Sequence, residues 1–314
     1  MSETVNTRKK HLHKAMRVGI AALRTIVLAG ICYIILLPIL TKLSSSFMFE
    51  TDLYDQTVRW IPRHFTLDNY KLVWQYMRYP EAFVHSLLLS LVVAVLQLAA
   101  CTSIGYGLGR FHFRGVNLLF SIVVFMMIVP PQTIMIPLYL NFRYFDLFGV
   151  LPDPGLNLIG THWPFVLLSV TGTGLRNGLF IYIMRQFFKG MPKELEEAAY
   201  VDGAGPYVTF YRVMLPSAGP ALVIVFLFAF VWQWNDSYLT GMFLGGKTVL
   251  PVMLESLLFN LGPGGGGYAL QITGQYASLI NNTGMLLFMA PLLLLYTVMQ
   301  RYFVESVERS GIVG

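Results

Sequence analysis

Six long stretches of apolar sequence, nearly free of charge, constrain this chain more than any other feature. A helix needs roughly 20 largely apolar residues to cross the ~30 Å hydrocarbon core of a bilayer, and each stretch approaches that length. They run approximately from Thr25 to Thr41, Val84 to Gly109, Val116 to Tyr139, Trp163 to Met184, Ser217 to Trp234 and Thr283 to Gln300. We therefore predict an all-α membrane protein with six transmembrane helices.

The composition supports this prediction. Charged residues make up 12% of the 314 residues, about half the ~25% that is usual in globular domains. One apolar stretch could be the buried helix of a soluble core, but six of them make that interpretation improbable. The net charge of +6 does not indicate nucleic acid, because the basic residues are scattered at helix ends. Cys32 and Cys101 are predicted to be unpaired and to lie inside spans.

Basic residues predict the orientation, since Lys and Arg concentrate in cytoplasmic segments. With the N-terminus inside, cytoplasmic segments hold 14 of the 22 Lys and Arg. The basic start resembles a signal peptide, but the first span is long and no small-residue cleavage site follows it, so we expect a retained helix. The predicted organisation is a cytoplasmic tail at 1–24, one transmembrane domain at 25–302 and a cytoplasmic tail at 303–314.

Two loops have distinct sequence patterns. Residues 42–83 are predicted to form a small outer cap, in which Thr66 begins a short helix that runs through Trp74. Glycines from Gly262 to Gly267 indicate a flexible outer loop. The longest cytoplasmic loop spans 185–216.

That cytoplasmic loop contains a predicted helix. Pro192 in the first turn and acidic residues near the positive end of the helix dipole favour a helix start, and Gly203 favours its end. The helix could anchor to the membrane surface or dock on a protein. Because it is acidic, anionic lipid should repel it, and we predict a protein partner. The acidic residues are Glu194, Glu196, Glu197 and Asp202.

The same loop resembles a known motif. Glu197-Ala198-Ala199, then Gly203, Val213 and Leu215-Pro216, resemble the EAA loop of ABC importer permeases, with Val213 where the pattern usually has Ile. The resemblance extends to the oligosaccharide branch that includes the second permease of the maltose transporter. Ile183 to Phe188 before Met191-Pro192, Trp234-Asn235-Asp236 and Phe65 to Tyr70 carry that similarity, which covers residues 60 to about 300.

The resemblance implies a type I ABC importer architecture in the bacterial inner membrane, importing oligosaccharides. A cytoplasmic coupling helix would dock on a separate ATPase, which would hold ATP and Mg²⁺. The implied partners are a second permease subunit in a heterodimer, two copies of the ATPase and an external solute-binding protein. We expect no enzymatic activity, cofactor or metal in this chain. The expected ATPase-coupling residues are Glu194, Glu197, Ala198, Ala199, Asp202, Gly203, Leu215 and Pro216.

Arg176 is the one charged residue predicted at membrane depth. Burying an unpaired Arg is costly, so its side chain should face the pathway or a partner. A guanidinium pairs well with a carboxylate, which raises the possibility of an acidic, uronate-containing sugar. Alternatively, Arg176 snorkels to the interface or pairs with the second permease, and the substrate is a neutral sugar or another small solute. The predicted pathway residues are Arg176, Asn177, Trp232, Gln233, Trp234 and Asn235.

Three other functions are less well supported. Gly241 to Thr248 satisfy the G-x-x-x-x-G-K-[ST] phosphate-binding pattern, but no strand is predicted before them and Lys247 is expected outside the cell. An ion-coupled transporter would need an acid at membrane depth, whereas Asp236 is expected in solvent at the outer end of the fifth span. An enzyme is disfavoured because the six histidines are dispersed.

Overall fold

The computed structural model describes residues 2–58, 60–146, 149–151, 154–262 and 274–311, with side chains described within 16–300. In these ranges the regular structure is helical, apart from isolated β-bridges between Met48 and Phe65 and between Phe145 and Leu156. The chain divides into two compact units. One comprises Met1–Val73 and Leu261–Leu286, and the other comprises Trp74–Asn260 and Leu287–Gly314.

Helix α1, Ser2–Ser46, dominates the first unit. Its Met16–Ser46 portion is 31 residues long, and none of its most apolar window is buried by the protein. Ile26 and Ile34 are 68% and 69% exposed. Apolar side chains are favourable in that position only against another apolar surface, which the hydrocarbon of a bilayer supplies. The helix also includes residues 2–24 of the predicted tail, because the helical backbone continues through them without a break.

Hydrogen bonds organise the segment that follows α1. Helix α2, Asp68–Tyr76, begins where Thr66 Oγ1 accepts the backbone N–H of Asp68 at 3.1 Å. The buried Asn69 donates from Nδ2 to the carbonyl oxygens of Ser46 and Met48. The backbone N–H of His64 donates to Asp52 at 2.8 Å and holds the pKa of that carboxyl below its usual value. Polar contacts thus help to order this segment, which was predicted to be an outer cap.

Helix α3, Tyr79–Arg110, is the central helix of the second unit. It packs against α7, Asn177–Gly190, and α11, Gly219–Trp234. Glycine permits the closest of these approaches, because a Cβ added to Gly105 would lie 2.6 Å from Met184 Cβ. Cys101 is buried on α3 and Cys32 is exposed on α1, and both are free thiols.

Nine further α-helices complete the described chain. They are α4 (Val116–Ile128), α5 (Pro131–Arg143), α6 (Trp163–Val170), α8 (Glu194–Val201), α9 (Pro206–Thr209), α10 (Leu215–Ser217), α12 (Tyr238–Leu244), α13 (Leu250–Leu261) and α14 (Gly274–Gly311). A π-helical turn, Phe210–Met214, connects α9 to α10. The predicted flexible loop from Gly262 to Gly267 lies outside the described residues beyond its first glycine.

The all-helical membrane fold is confirmed, but the number of six spans is not. Three described helices are long and apolar enough to cross a bilayer, Met16–Ser46, Tyr79–Arg110 and Gly274–Gln300, and counting each bent pair as one span gives up to five. The pairs Val116–Ile128 with Pro131–Arg143 and Pro206–Ser217 with Gly219–Trp234 bend by 103° and 77°. Proline is the first or second residue of the second helix of each pair, Pro131 and Pro220, and it lacks the N–H that would continue the first helix. The fourth predicted span is split into α6 and α7.

Candidate translocation site and coupling loop

The interruption between α6 and α7 is an ordered backbone structure. The N–H groups of Thr173 and Gly174 both donate to the carbonyl oxygen of Leu168, at 3.2 and 3.1 Å. Gly172 has φ +70°, a conformation that favours glycine. The chain therefore turns within residues 171–176, and Arg176 lies directly before the first residue of α7.

Arg176 lines a cavity of about 280 Å³, which we call the Arg176 cavity. Residues of α3, α5, α7 and α11 contribute to its wall, together with the segment after α11. Its polar and aromatic lining includes Gln97, Gln132, Arg176, Trp232, Gln233 and Asp236. Carboxamides, a guanidinium, a carboxylate and an indole ring in one concave site are suited to binding a polar organic solute.

The guanidinium of Arg176 lies over the ring of Trp232, with Cζ 4.9 Å from the ring centroid. Trp232 is itself held by Phe180, whose ring stacks on the Trp232 ring with the centroids 5.4 Å apart. This cation–π contact orients the Arg176 side chain without using its N–H donors. In the described part of the chain, the Arg176 side chain has no hydrogen-bond or ion-pair partner, so its donors are available to a ligand.

The position of Asp236 differs from the one predicted from the sequence. It was expected in solvent, but it is partly buried in the wall of the Arg176 cavity. Its Oδ2 accepts from the backbone N–H and the hydroxyl of Thr240, at 3.0 and 3.1 Å, at the start of α12. A carboxylate at a helix N-terminus is favoured by the N–H groups there, which explains its position. Asp236 and Arg176 line the same cavity without forming an ion pair.

Three of the six predicted pathway residues, Arg176, Trp232 and Gln233, line the cavity. The other three have different positions. Asn177 is buried and donates to Leu168, Trp234 is buried and donates from Nε1 to Phe288, and Asn235 donates to Val231. Successive side chains on a helix point about 100° apart, so Trp234 points away from the wall that Trp232 and Gln233 line.

Sequence reasoning missed Gln97, Gln132 and Asp236 as cavity residues. Gln97 is the single carboxamide in its apolar stretch from Val84 to Gly109, which was an available signal. Gln132 follows the Pro130-Pro131 pair. The sequence analysis placed that pair within a continuous span, so Gln132 offered no such signal.

The predicted docking helix is α8, and its outer surface is acidic. Glu194, Glu197 and Asp202 are exposed, and Ala198 is exposed beside them. Ala199 is 8% exposed and anchors the helix to the protein. Pro192 precedes the N-cap Lys193 and does not lie in the first turn. Residues 203–216 lead from α8 back toward α11, and we call them the return segment. In it, Leu215 is half-buried and Pro216 is exposed.

The end of α8 presents a surface suited to a partner. Gly203 takes φ +80° just after the helix, a conformation that allows the chain to turn back. Large side chains on both sides of Gly203 are exposed: Val201 is 88%, Tyr207 82% and Tyr211 62% exposed. Exposed aromatic residues beside charged ones are characteristic of protein interfaces.

Glu196 belongs to the same acidic stretch but faces the protein. Its Oε1 accepts from the hydroxyl of Tyr106 at 2.9 Å, and its Oε2 lies 3.3 Å from Nε of Arg110. Arg110 Nη2 also donates to the carbonyl oxygens of Met191 and Pro192, at 3.0 and 3.1 Å. We call Tyr106, Arg110 and Glu196 the Glu196 clamp.

The phosphate-binding pattern is not in a phosphate-binding structure. Its first half lies in α12 and its last residue, Thr248, accepts from Arg78 Nη1 at 3.4 Å. A helix thus precedes the loop where the motif requires a strand. In the part of the chain that the structure describes, no group of three His, Cys, Asp or Glu side chains could hold a metal ion.

The sequence matches a known family over residues 101–309, which is described as the binding-protein-dependent transport system inner membrane component. The chain is 32% identical over 315 aligned residues to the osmoprotective compounds uptake permease protein GgtD of Synechocystis, covering 98% of this chain and 95% of that protein. It is 28% identical over 298 residues to the arabinooligosaccharides transport system permease protein AraQ of Halalkalibacterium halodurans, covering 93% and 96%.

The fold matches a solved structure of a bacterial ABC transporter involved in the import of the acidic polysaccharide alginate. The TM-score is 0.72 with 20% sequence identity, and the match covers 90% of this chain and 96% of that chain. At this identity the match supports the fold alone.

Proposed function

Because the chain belongs to the family of binding-protein-dependent transport system inner membrane components, we propose that it carries a hydroxyl-rich solute, an oligosaccharide, through the Arg176 cavity. The chain is an inner-membrane permease subunit of an ABC importer and is not itself an enzyme. The transport of arabinooligosaccharides by its relative AraQ supports a solute of this class.

The observation that carries the proposal is the break before α7. It brings Arg176 into a cavity that also contains Trp232 and Asp236. Sugars are bound by aromatic rings that contact their C–H faces and by planar polar groups that hydrogen-bond their hydroxyls. The cavity offers both kinds of group, together with the carboxamides of Gln97, Gln132 and Gln233.

The charges of the cavity favour a neutral sugar. Arg176 and Asp236 are its charged lining residues, and their formal charges cancel. A carboxylate on the substrate would gain from Arg176 but would be repelled by Asp236. An acidic, uronate-containing substrate is therefore the alternative that the test must distinguish.

The energy source in this proposal is a separate ATPase that docks on α8 and binds ATP with Mg²⁺. The exposed Glu194, Glu197 and Asp202 support a partner with a basic surface. The proposed assembly also contains a second permease subunit, two ATPase copies and an external binding protein that delivers the solute, with both termini of this chain in the cytoplasm.

Arg176→Gln tests the proposal in the assembled importer. Uptake of an arabinooligosaccharide and of an oligouronate would be compared with the unmodified protein. We expect uptake of the neutral sugar to fall about tenfold, since a hydrogen bond from a charged group contributes ~1.5–3 kcal/mol. Arg143→Gln is the matched control, because Arg143 is exposed on α5 and is not part of the cavity lining.

The outcomes separate the alternatives. A loss confined to the oligouronate would show that the substrate is acidic. Unchanged uptake of both sugars in Arg176→Gln would show that the cavity is not the pathway.

A further inference from the structure

Glu196 is separated from the neighbouring acids by its orientation. Its side chain is 14% exposed and that of Arg110 is 6% exposed, whereas Glu194 and Glu197 lie in exposed positions. A buried carboxylate is retained in a fold when partners compensate its charge, and Tyr106 and Arg110 do so here. Glu196 is therefore unavailable to an external partner, although it lies inside the acidic stretch.

The Glu196 clamp holds each part of the loop. Arg110 binds the approach to α8 through the carbonyl oxygens of Met191 and Pro192. Tyr106 contacts the return segment, with its ring 4.7 Å from that of Phe210, and the end of α7, with its ring 5.3 Å from that of Phe188. A displacement of α8 must therefore move the cytoplasmic end of α3 or break these contacts.

Helix α3 connects the clamp to the Arg176 cavity. It is unbroken from Tyr79 to Arg110, and its Gln97 lines the cavity. Gln97 and Tyr106 are nine residues apart, which is about 13 Å along a helix that rises ~1.5 Å per residue. Gly105 also lies so close to Met184 that α3 and α7, the helix that Arg176 precedes, have no space to slide independently.

We propose that the Glu196 clamp is the positioning device that transmits movement of α8 through α3 to the Arg176 cavity. Glu196, Arg110 and Tyr106 contact neither the solute nor the ATPase in this proposal. They join α8 and α3 so that the two helices move together. Coupling between distant sites is carried by packed and hydrogen-bonded elements of this kind. The inference rests on the proposed docking of an ATPase on α8.

Glu196→Gln and Tyr106→Phe test the inference in the full importer reconstituted in vesicles. Each change removes one clamp interaction while keeping the shape of the side chain. We expect solute uptake per ATP hydrolysed to fall about fivefold or more, in the range of typical coupling effects. The ATPase subunit should still co-purify, because the exposed docking surface is unchanged.

Two basic residues near the end of α3 provide the matched control. Arg110→Gln should uncouple hydrolysis from uptake, whereas Arg114→Gln should leave uptake per ATP unchanged. Arg114 is exposed and forms no hydrogen bond or ion pair in the part of the chain that the structure describes. Co-purification distinguishes this inference from the docking proposal, which predicts that Glu197→Lys detaches the ATPase.

Two results would overturn the inference. One is an unchanged ratio of uptake to hydrolysis in both Glu196→Gln and Tyr106→Phe. The other is loss of the ATPase subunit from these variants, which would make Glu196 a docking residue.

Discussion

The two arginines Arg110 and Arg176 each lie at a helix end in the second unit, yet their surroundings are opposite. The Arg110 side chain is buried, donates from Nη2 to two carbonyl oxygens and forms an ion pair with Glu196. Arg176 is exposed to a cavity, and among the described residues its side chain contacts the ring of Trp232 but has no hydrogen-bond partner. A charged group with several protein partners holds two parts of a protein together, whereas one without hydrogen-bond partners is free to bind a solute. The comparison thus distinguishes the proposed coupling device from the proposed substrate site.

The largest expected effect is at the exposed acid next to the clamp. Glu197→Lys should reduce ATP-dependent uptake about a hundredfold, because reversing an interface charge costs several kcal/mol. Uptake and co-purification of the ATPase would be measured together, and membrane insertion should be normal. Glu255→Lys, at an exposed acid of α13, is the control. Normal uptake in Glu197→Lys would remove the distinction between Glu197 as a docking residue and Glu196 as a clamp residue.

A smaller effect is expected at the aromatic side of the cavity. Trp232→Leu should lower uptake of a neutral oligosaccharide about tenfold, because it removes the cation–π support of Arg176 and the ring surface for the sugar. Trp232→Phe keeps an aromatic ring and should retain more activity. Equal uptake by Trp232→Leu and the unmodified protein would indicate that Arg176 needs no orientation by Trp232.

Asp236→Asn should change selectivity by several-fold. Removing this carboxylate leaves Arg176 as the charged group of the cavity lining, so an oligouronate should gain relative to a neutral sugar. Competition between the two sugars during uptake measures the ratio. A constant ratio would mean that charge balance does not determine the substrate class.

The smallest effect on transport is expected from helix packing. Gly105→Ala should destabilise the α3–α7 contact by ~1–3 kcal/mol, because its Cβ would lie 2.6 Å from Met184 Cβ. Gly107→Ala is a matched control two residues away on α3, where an added Cβ meets nothing within 4 Å. Thermal unfolding in detergent would compare them. Equal stability of the two variants would show that α3 and α7 can separate. It would argue against the proposal that the Glu196 clamp transmits movement through α3.

Much of the fold could be predicted from local pattern. The stretch Val84 to Gly109 predicted most of α3, and the acidic residues after Pro192 predicted α8. The third, fourth and fifth predicted spans were less accurate, because hydropathy does not register a bend at a proline or an ordered turn at glycine. A span count therefore could not follow from apolar length alone.

The candidate sites were predictable to different extents. Arg176 was identifiable because a charge in an apolar stretch is costly and needs a compensating role. Asn177, Trp234 and Asn235 were included with it because neighbours in sequence were treated as neighbours in space. The helical turn of about 100° per residue directs those side chains into the core or away from the cavity.

The sequence by itself determined the membrane-embedded helical class, the acidic helix that is predicted to dock on a partner, and the family, because these depend on composition, periodicity and a motif within twenty residues. Only the tertiary structure decided which charges are satisfied. Glu196 and Tyr106 are 90 residues apart, and Arg176 and Asp236 meet at one cavity only after four helices have packed. Burial and hydrogen bonding arise from such long-range contacts. They distinguish Glu197, which is proposed to dock on the ATPase, from Glu196, which is proposed to act in the Glu196 clamp.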